Sequence, residues 1–368
     1  MIVKRFVAEN FRNIEKCDIH FSEGINLLHG KNAEGKTNAL EGIYIFSRGK
    51  SFRASDEKDF IKKGCDGFRI FIEYESKIGN ENLEYSLFGR ERRRKKNGYK
   101  ISKVTEMIGS FKTVLFSPED LKIIKEGPEE RRSFINIAAS QCFPSYIKLY
   151  ADYKKALENR NCLLKNIKSG LIFDTGEIDS WSETMAEYAS HIYKYRKEYI
   201  SRIEAYSKDI QREISDGREE LSIFYKSGIL EESEKTEDIK EQYFNLLTQN
   251  KEREIAAGVT LYGVHRDDIE ININGQNSRV FASQGQQRSI VLALKLAEGE
   301  VNNEICGEYP VYLLDDVLSE LDERRKKFVI NGIKEKQVII TSCENDVSMN
   351  FADRVIEVSG GEYVSSYR

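Results

Sequence analysis

"INLLHGKNAEGKTNALEGIY", Ile25 to Tyr44, contains the string Gly30, Lys31, Asn32, Ala33, Glu34, Gly35, Lys36, Thr37, which fits the phosphate-binding loop pattern G-x-x-x-x-G-K-[ST]. The apolar run "INLLH" ahead of it reads as a strand. "KTNALEGIYIF" behind it reads as a helix, with Ala39, Ile43 and Phe46 at helical spacing. The chemistry needs that strand–loop–helix setting. Gly30 and Gly35 let backbone N–H groups curl around phosphates, and the helix N-terminus itself favours anions. Lys36 supplies a positive charge to the β and γ oxygens, and the Thr37 hydroxyl can ligate Mg²⁺. All eight residues are therefore candidate nucleotide-binding residues.

The chain has 368 residues, enough for two domains or one large domain with an insertion. With 40% hydrophobic and 32% charged residues it reads as a water-soluble, cytoplasmic protein. The formal net charge of −4 means that any nucleic-acid contact must come from local basic patches. The opening "MIVKRFVAENF" has no apolar signal-peptide core, and no uncharged run reaches membrane-spanning length, so no membrane association is expected. Six cysteines lie scattered without a C-x-x-C spacing, which argues against a zinc site and a disulfide scaffold.

Residues 1–45 read as strand, strand, strand, loop, helix, and β-like runs recur between Phe68 and Phe116, with a hairpin turn at Asn97-Gly98. The middle changes character. Apolar residues from Trp181 to Ile214 recur in steps of three and four, which predicts one helix roughly 50 Å long. A helix over Tyr146–Ile167 precedes it. The acidic "EESEKTEDIKEQ" leads into another near Tyr243–Ile255. After Gly258 the β/α pattern returns: the alternating "IEININGQNSRVFA", a helix over Gln284–Val301, strand "VYLL", a helix over Glu323–Ile333, then strands "QVIIT" and "RVIEVS". The expected plan is an α/β phosphate-loop NTPase body, residues 1–125 and 259–368, split by a helical, arm-like insertion over residues 126–258.

Two further motifs complete the chemistry. "VYLLDD" is an apolar strand ending in aspartates: Asp315 is placed to hold Mg²⁺, and Asp316 to orient or deprotonate the attacking water, unless the pair, Asp316 above all, merely caps the next helix. "FASQGQQRS" places Ser283, Gln284, Gly285 and Gln286 directly before an apolar helix, with Ser283 as its N-cap. With the phosphate loop upstream and "VYLLDDVLSELD" downstream, this string resembles the Ser-x-Gly-Gln signature of ABC-type ATPases, and "SELD" resembles their D-loop. That resemblance implies a homodimer formed with ATP, in which Ser283, Gln284, Gly285 and Gln286 of one copy complete the ATP site of the other. Ser283 then joins Lys36 and Asp316 as a candidate catalytic residue.

Within that superfamily a transporter head normally has a His after the strand following the acidic pair. Here Thr341, Ser342 and Cys343 stand there, and the insertion is too short for a chromosome-scaffold coiled coil. "NFRNI", "GKSFRAS", "VLFSPEDL", "EGPEERRSFIN", "YGVHRDD" and "FASQGQQRS", in this order along the chain, resemble the RecF family. The resemblance implies a slow, DNA-stimulated ATPase that binds duplex DNA and gapped or single-strand junctions. It would act as an ATP-gated clamp in recombinational repair and replication restart, support SOS induction, and load recombinase with RecR- and RecO-type proteins. It also places Arg12 within reach of the nucleotide, against the plainer reading of a surface-loop arginine. Asp316 stands where ABC ATPases carry a glutamate, which suggests slow hydrolysis, and Asn136 where an aspartate is common in the family.

Three further features carry expectations. Arg90, Arg92, Arg93, Arg94, Lys95 and Lys96 beside the Asn97-Gly98 turn form a candidate DNA-backbone contact, against a solvated edge strand. Tyrosines of the insertion read as core with wetted hydroxyls rather than as base-stacking platforms. His265 with Asp267 and Asp268 has no second histidine nearby and is not read as a metal site.

Overall fold

The computed structural model describes residues 1–53, 56–171, 175–229, 235–343 and 351–367. Ala54 and Ser55 of the "GKSFRAS" string, the start of the acidic stretch (Glu231–Glu234) and Glu344–Asp346 after Cys343 lie outside the described residues. The chain divides into a first unit of residues 1–121, 209–218 and 288–368 and a second of residues 122–208 and 219–287. The stretch 259–287, expected with the C-terminal part of the ATPase body, thus groups with the second unit.

In the first unit the strand Ile25–His29 sits inside a six-stranded sheet. Arg354–Ser359 flanks it on one side and Val338–Ser342 on the other, followed by Val311–Asp315 and Thr113–Phe116, all parallel. Glu362–Tyr367, which sequence reading missed, closes the first edge antiparallel. Strands covered on both faces read as unbroken apolar runs, and every residue of Val311–Asp315 is buried. The register sets Asp315 opposite Thr341.

A second, antiparallel sheet runs Ile14–His20, Ile2–Phe11, Gly67–Ser76, Gly79–Phe88, Glu91–Lys96 and Tyr99–Lys100. Both sheets and the helix Lys36–Arg48 contribute to one core: Phe6, Phe11 and Phe68 from the antiparallel sheet, Leu28, Leu313 and Ile339 from the parallel one, and Leu40, Ile43 and Phe46 from the helix. The helix is buried nearly all round, its polar Glu41, Ser47 and Arg48 included. Here only Thr37 and Asn38, in its first turn, escape burial.

The second unit corrects the expectation of a purely helical insertion. Leu221–Lys226 forms a strand pairing antiparallel with Asp268–Ile273, and Gln276–Asn277 completes a three-stranded sheet. Its alternation is short but clear, with Leu221, Ile223 and Tyr225 buried. "RVFA" belongs to a short helix, Ser278–Phe281, instead of extending the strand. The long helix spans Gly176–Ile214, 39 residues, and Pro144–Lys168 precedes it. The helix Pro128–Cys142, unread in the sequence, opens with proline at a position whose N–H needs no helical partner. The expected Tyr243–Ile255 helix is two, Thr236–Gln249 and Lys251–Ala257. They break at Asn250, whose side-chain amide donates to the Leu246 carbonyl at 2.8 Å.

Tyr146, Tyr153, Tyr193, Tyr199 and Tyr243 are buried in this unit. Arg196, 1% exposed, meets the Tyr146 hydroxyl at 3.2 Å and the Tyr225 hydroxyl at 3.4 Å. Asn136 Oδ1 accepts from Arg196 Nε at 3.1 Å, Arg196 Nη2 at 2.8 Å and the Tyr146 hydroxyl at 2.6 Å. Arg196 Nη1 donates to the Val264 carbonyl at 2.6 Å and lies 3.9 Å from Asp267, which accepts from the Tyr225 hydroxyl at 2.6 Å. The amide oxygen at position 136 therefore serves as the acceptor that a buried guanidinium requires. Asn136→Leu should destabilise the protein by about 1.5–3 kcal/mol, the scale of a hydrogen bond to a charged group. Asn136→Asp, which keeps the acceptor, should be far milder. Urea midpoints measure both, and a Leu variant as stable as the wild type would contradict this role.

Candidate functional site

The phosphate loop borders a cavity of about 300 Å³ in the first unit, lined by Asn13, Asn32, Ala33, Gly35, Lys36, Thr37, Asn38, Arg53, Asp316, Thr341 and Cys343. The two fixed glycines serve different needs. Gly35 has φ +117°, a conformation that disfavours a side chain, whereas a Cβ on Gly30 would come within 2.1 Å of the Val358 carbonyl on the neighbouring strand. Ala33 is also left-handed, with φ +66°. Its carbonyl accepts from Asn13 Nδ2 at 2.8 Å, and that of Gly35 from the Tyr363 hydroxyl at 3.0 Å. Glu34 Oε2 accepts from the Lys31 N–H at 2.9 Å, and Asn32 Oδ1 from the Cys343 thiol. Lys36 Nζ donates to the carbonyls of Gly30 and Lys31, both at 2.6 Å, so the ammonium lies inside the curve of the loop.

The acidic pair meets this loop from the far end of the chain. Thr37 Oγ1 donates to Asp315 Oδ1 at 2.8 Å across 278 residues of sequence. Thr341 Oγ1 donates to the same oxygen at 2.8 Å. Burial pushes the Asp315 carboxyl up, and the Thr37 and Thr341 hydroxyls pull it back down. Asp316 lines the cavity with φ +54°, its N–H donating to Thr341 Oγ1 at 3.0 Å. Its carbonyl and carboxylate accept from Ser319 Oγ at 2.7 and 3.3 Å. The 3₁₀ turn that follows, Leu318–Glu320, begins from Val317 without a side-chain cap, so Asp316 does not cap it. The aspartate that does cap is Asp322 of the "SELD" string, which opens the helix Glu323–Ile333.

Arg12 is also left-handed, with φ +57°. Its guanidinium forms a two-pronged pair with the fully buried Glu41, at 2.6 and 3.0 Å, and donates to the Asp59 carbonyl at 2.7 Å. It is not among the described residues lining the cavity. Its neighbour Asn13 is, and links through Asn38 (2.6 Å) to Arg53 (3.1 Å). Sequence reading assigned no role to Asn13, Asn38, Arg53, Thr341 or Cys343. Asn13 and Arg53 lay inside quoted strings, whereas Thr341 is recognisable only once two strands are set side by side.

Ser283, Gln284, Gly285 and Gln286 lie in the second unit and are not among the described lining residues. Ser283 Oγ accepts from the Gln286 N–H at 3.3 Å while Gln286 Oε1 accepts from the Ser283 N–H at 2.9 Å. This reciprocal capping box opens the helix Gln284–Cys306. His265 Nδ1 is hydrogen-bonded to the Tyr153 hydroxyl at 2.7 Å, and burial lowers its pKa to about 4.

The basic strand Glu91–Lys96 is already ion-paired. Arg92 and Arg94 both meet Glu57, Arg93 meets Glu91, Lys95 meets Glu84 at 2.8 Å and Lys96 meets Glu81 at 2.8 Å. The alternation of a strand divides these cations between two faces. DNA would have to compete with carboxylates for each of them.

Among the described residues no helix is long and apolar enough to cross a membrane. Residues 2–365 match the model of the RecF/RecN/SMC N-terminal domain. The chain is 37% identical over 99% of its length to DNA replication and repair protein RecF of Clostridioides difficile, covering 98% of that protein. It is 38% identical over 98% of its length to the protein of the same name from Acetivibrio thermocellus, covering 99% of it. The solved structure of the recombination mediator protein RecF-ATP of the RecFOR pathway superposes with a TM-score of 0.91 at 36% identity, over 100% of this chain and 97% of that one. An Smc head domain from Pyrococcus furiosus, 19% identical, matches over 100% of this chain and 96% of that one with a TM-score of 0.59 and shares the fold. The α/β architecture is that of an ABC-type ATPase head, and this chain belongs to the RecF family.

Proposed function

We propose that this chain binds ATP and Mg²⁺ in the phosphate-loop cavity and uses the nucleotide to gate a DNA-binding homodimer in recombinational repair and replication restart at gaps. The observation that carries this reading is the Thr37–Asp315 hydrogen bond at 2.8 Å, with Asp316 beside it in the cavity. A hydroxyl that can ligate a divalent cation and a carboxylate that can hold it through water are thereby held together at the mouth of an anion-binding helix. Residues Gly30 to Thr37 would wrap the phosphates, with Lys36 as their counter-charge and Thr37 and Asp315 holding the metal. The metal would neutralise charge building on the phosphate oxygens.

Asp316 would accept the proton of the attacking water. One methylene shorter than glutamate, it suits slow turnover, and a slow ATPase works as a timer. Ser283 to Gln286 of a second copy would close over the γ-phosphate and supply donors that one chain lacks. Arg12 is held by Glu41 in the chain as it stands, so its reach to the nucleotide would require that pair to open. RecR- and RecO-type proteins are the proposed partners, because the structurally similar protein is described as the recombination mediator of the RecFOR pathway. SOS induction and cytoplasmic location belong to the same reading. An ATPase acting on a protein partner, with DNA incidental, gains from the ion-paired basic strand. Stimulation of ATP turnover by gapped duplex separates the two, since the clamp requires it and the alternative does not.

Lys36→Ala should abolish nucleotide binding measured by calorimetry, because the phosphate charge loses its counter-ion. Asp316→Asn should bind ATP normally while turnover falls about 10²-fold or more, the scale of lost general-base catalysis. Unimpaired hydrolysis in that variant would remove Asp316 from the mechanism. Sedimentation tests the composite site. Wild-type protein should pair on adding Mg-ATP, and Ser283→Arg should bind ATP without pairing. Since Arg also removes a helix cap costing about 1 kcal/mol, Ser283→Ala, which loses the cap and the hydroxyl but adds no bulk, is the matched control and should weaken pairing less than Ser283→Arg. A Ser283→Arg protein that pairs like the wild type would sink the head-to-tail arrangement.

A further inference from the structure

Asp315 and Asp316 are adjacent at the end of a strand, where successive side chains point to opposite faces of the sheet. Both must address one cavity if they are to act on one nucleotide. Asp316 lines the cavity with φ +54°, in the left-handed region that L-residues enter at a cost, while the buried Asp315 meets the cavity-lining Thr37. Something has to hold that turn.

From this geometry we infer that Thr341 is the positioning residue of the acidic pair. It rests on the ATP-site reading above and extends it to a residue on another strand. The Thr341 side chain is 2% exposed and stands directly across the sheet from Asp315 in parallel register. Its single hydroxyl works in both directions. It donates to Asp315 Oδ1 at 2.8 Å, beside the bond from Thr37, and accepts the Asp316 N–H at 3.0 Å. Asp315 is fixed through its side chain and Asp316 through its backbone, by one atom. A hydroxyl at this position can do this because it has a proton for the carboxylate and lone pairs for the amide. Valine has the same shape and neither capacity. Without the hydroxyl the Asp316 N–H loses its acceptor within the protein, and the left-handed turn is left with the Ser319 contacts alone. Asp315 Oδ1 keeps only the bond from Thr37 and gains rotational freedom about its carboxylate.

The Thr341 hydroxyl is taken up by Asp315 and Asp316, so its loss should appear in turnover and metal dependence more than in nucleotide affinity. Thr341→Val should lower kcat about 10- to 100-fold, within the range that general-base catalysis contributes, and raise the Mg²⁺ concentration for half-maximal turnover, with ATP affinity changed less than threefold. Thr341→Ser, which keeps the hydroxyl, should recover most of both. A role in packing alone would move the melting temperature and leave the Mg²⁺ midpoint unchanged. Hydrogen exchange of the Asp316 amide in the nucleotide-free protein gives a readout independent of activity: exchange should accelerate in Thr341→Val and be near wild type in Thr341→Ser. Thr341→Val with wild-type kcat and Mg²⁺ midpoint overturns the inference and leaves the ATP-site reading standing. Serine and valine variants equally impaired overturn it as well, because the methyl group would then be what matters. If wild-type protein fails to bind Mg-ATP, the ATP-site reading falls, and unchanged Asp316 exchange in Thr341→Val removes the positioning role on its own terms.

Discussion

A hydroxyl in the first turn of one helix bonds a carboxylate 278 residues further along the chain, and the first unit is arranged so that Thr37 and Asp315 can meet. The bond requires the strand before the phosphate loop and the strand bearing Asp315 to lie in one sheet, separated by Val338–Ser342 alone. It requires the helix Lys36–Arg48 to be covered along its length, its apolar residues by side chains of both sheets and its buried Glu41 by the Arg12 guanidinium. Burial along the rest of the helix and exposure of its N-terminus together leave the helix one place to receive an anion.

The backbone bears the cost of that site in identifiable places. Among the described residues, non-glycine positions with positive φ include Asn97 and Asn274, each followed by a left-handed glycine in a hairpin turn, as type I′ geometry demands. Arg12 opens the two-residue turn between Phe11 and Ile14 without a glycine, and it lies with Ala33 and Asp316 at or beside the phosphate-loop cavity. Each is held by bonds from elsewhere: Arg12 by Glu41, Ala33 by Asn13, Asp316 by Thr341 and Ser319. Strained conformations persist where the surroundings over-determine them, and here the surroundings are side chains from a helix, from turns and from another strand.

Charge follows a similar economy. The buried guanidinium of Arg196 is served by an amide, a carbonyl and a carboxylate 3.9 Å away. The five cations of the strand Glu91–Lys96 each meet a glutamate, Arg92 and Arg94 sharing Glu57. In a chain of net charge −4 even the densest basic run is thus interleaved with carboxylates, which makes backbone attraction to a polyanion a property of particular surfaces.

The phosphate loop, the aspartate pair, the capped helix after Ser283 and the order of elements around them were legible in residue order alone. These are local: each is a run of residues whose spacing already states its period, its cap or its backbone need. The strand–loop–helix at Ile25–Arg48, the hairpin turns and the helix Glu323–Ile333 were legible for that reason. What depends on residues far apart in sequence took shape only on folding. The strand Leu221–Lys226 is six residues inside a helical region and gains its identity from pairing with Asp268–Ile273. Asn136 is intelligible only beside Arg196, and Arg12 only beside Glu41. Thr341, in the sequence merely a place where no histidine stands, acquires its two hydrogen bonds because parallel pairing sets it opposite Asp315. Periodicity fixes which face a residue presents, but register between distant strands fixes what that face meets.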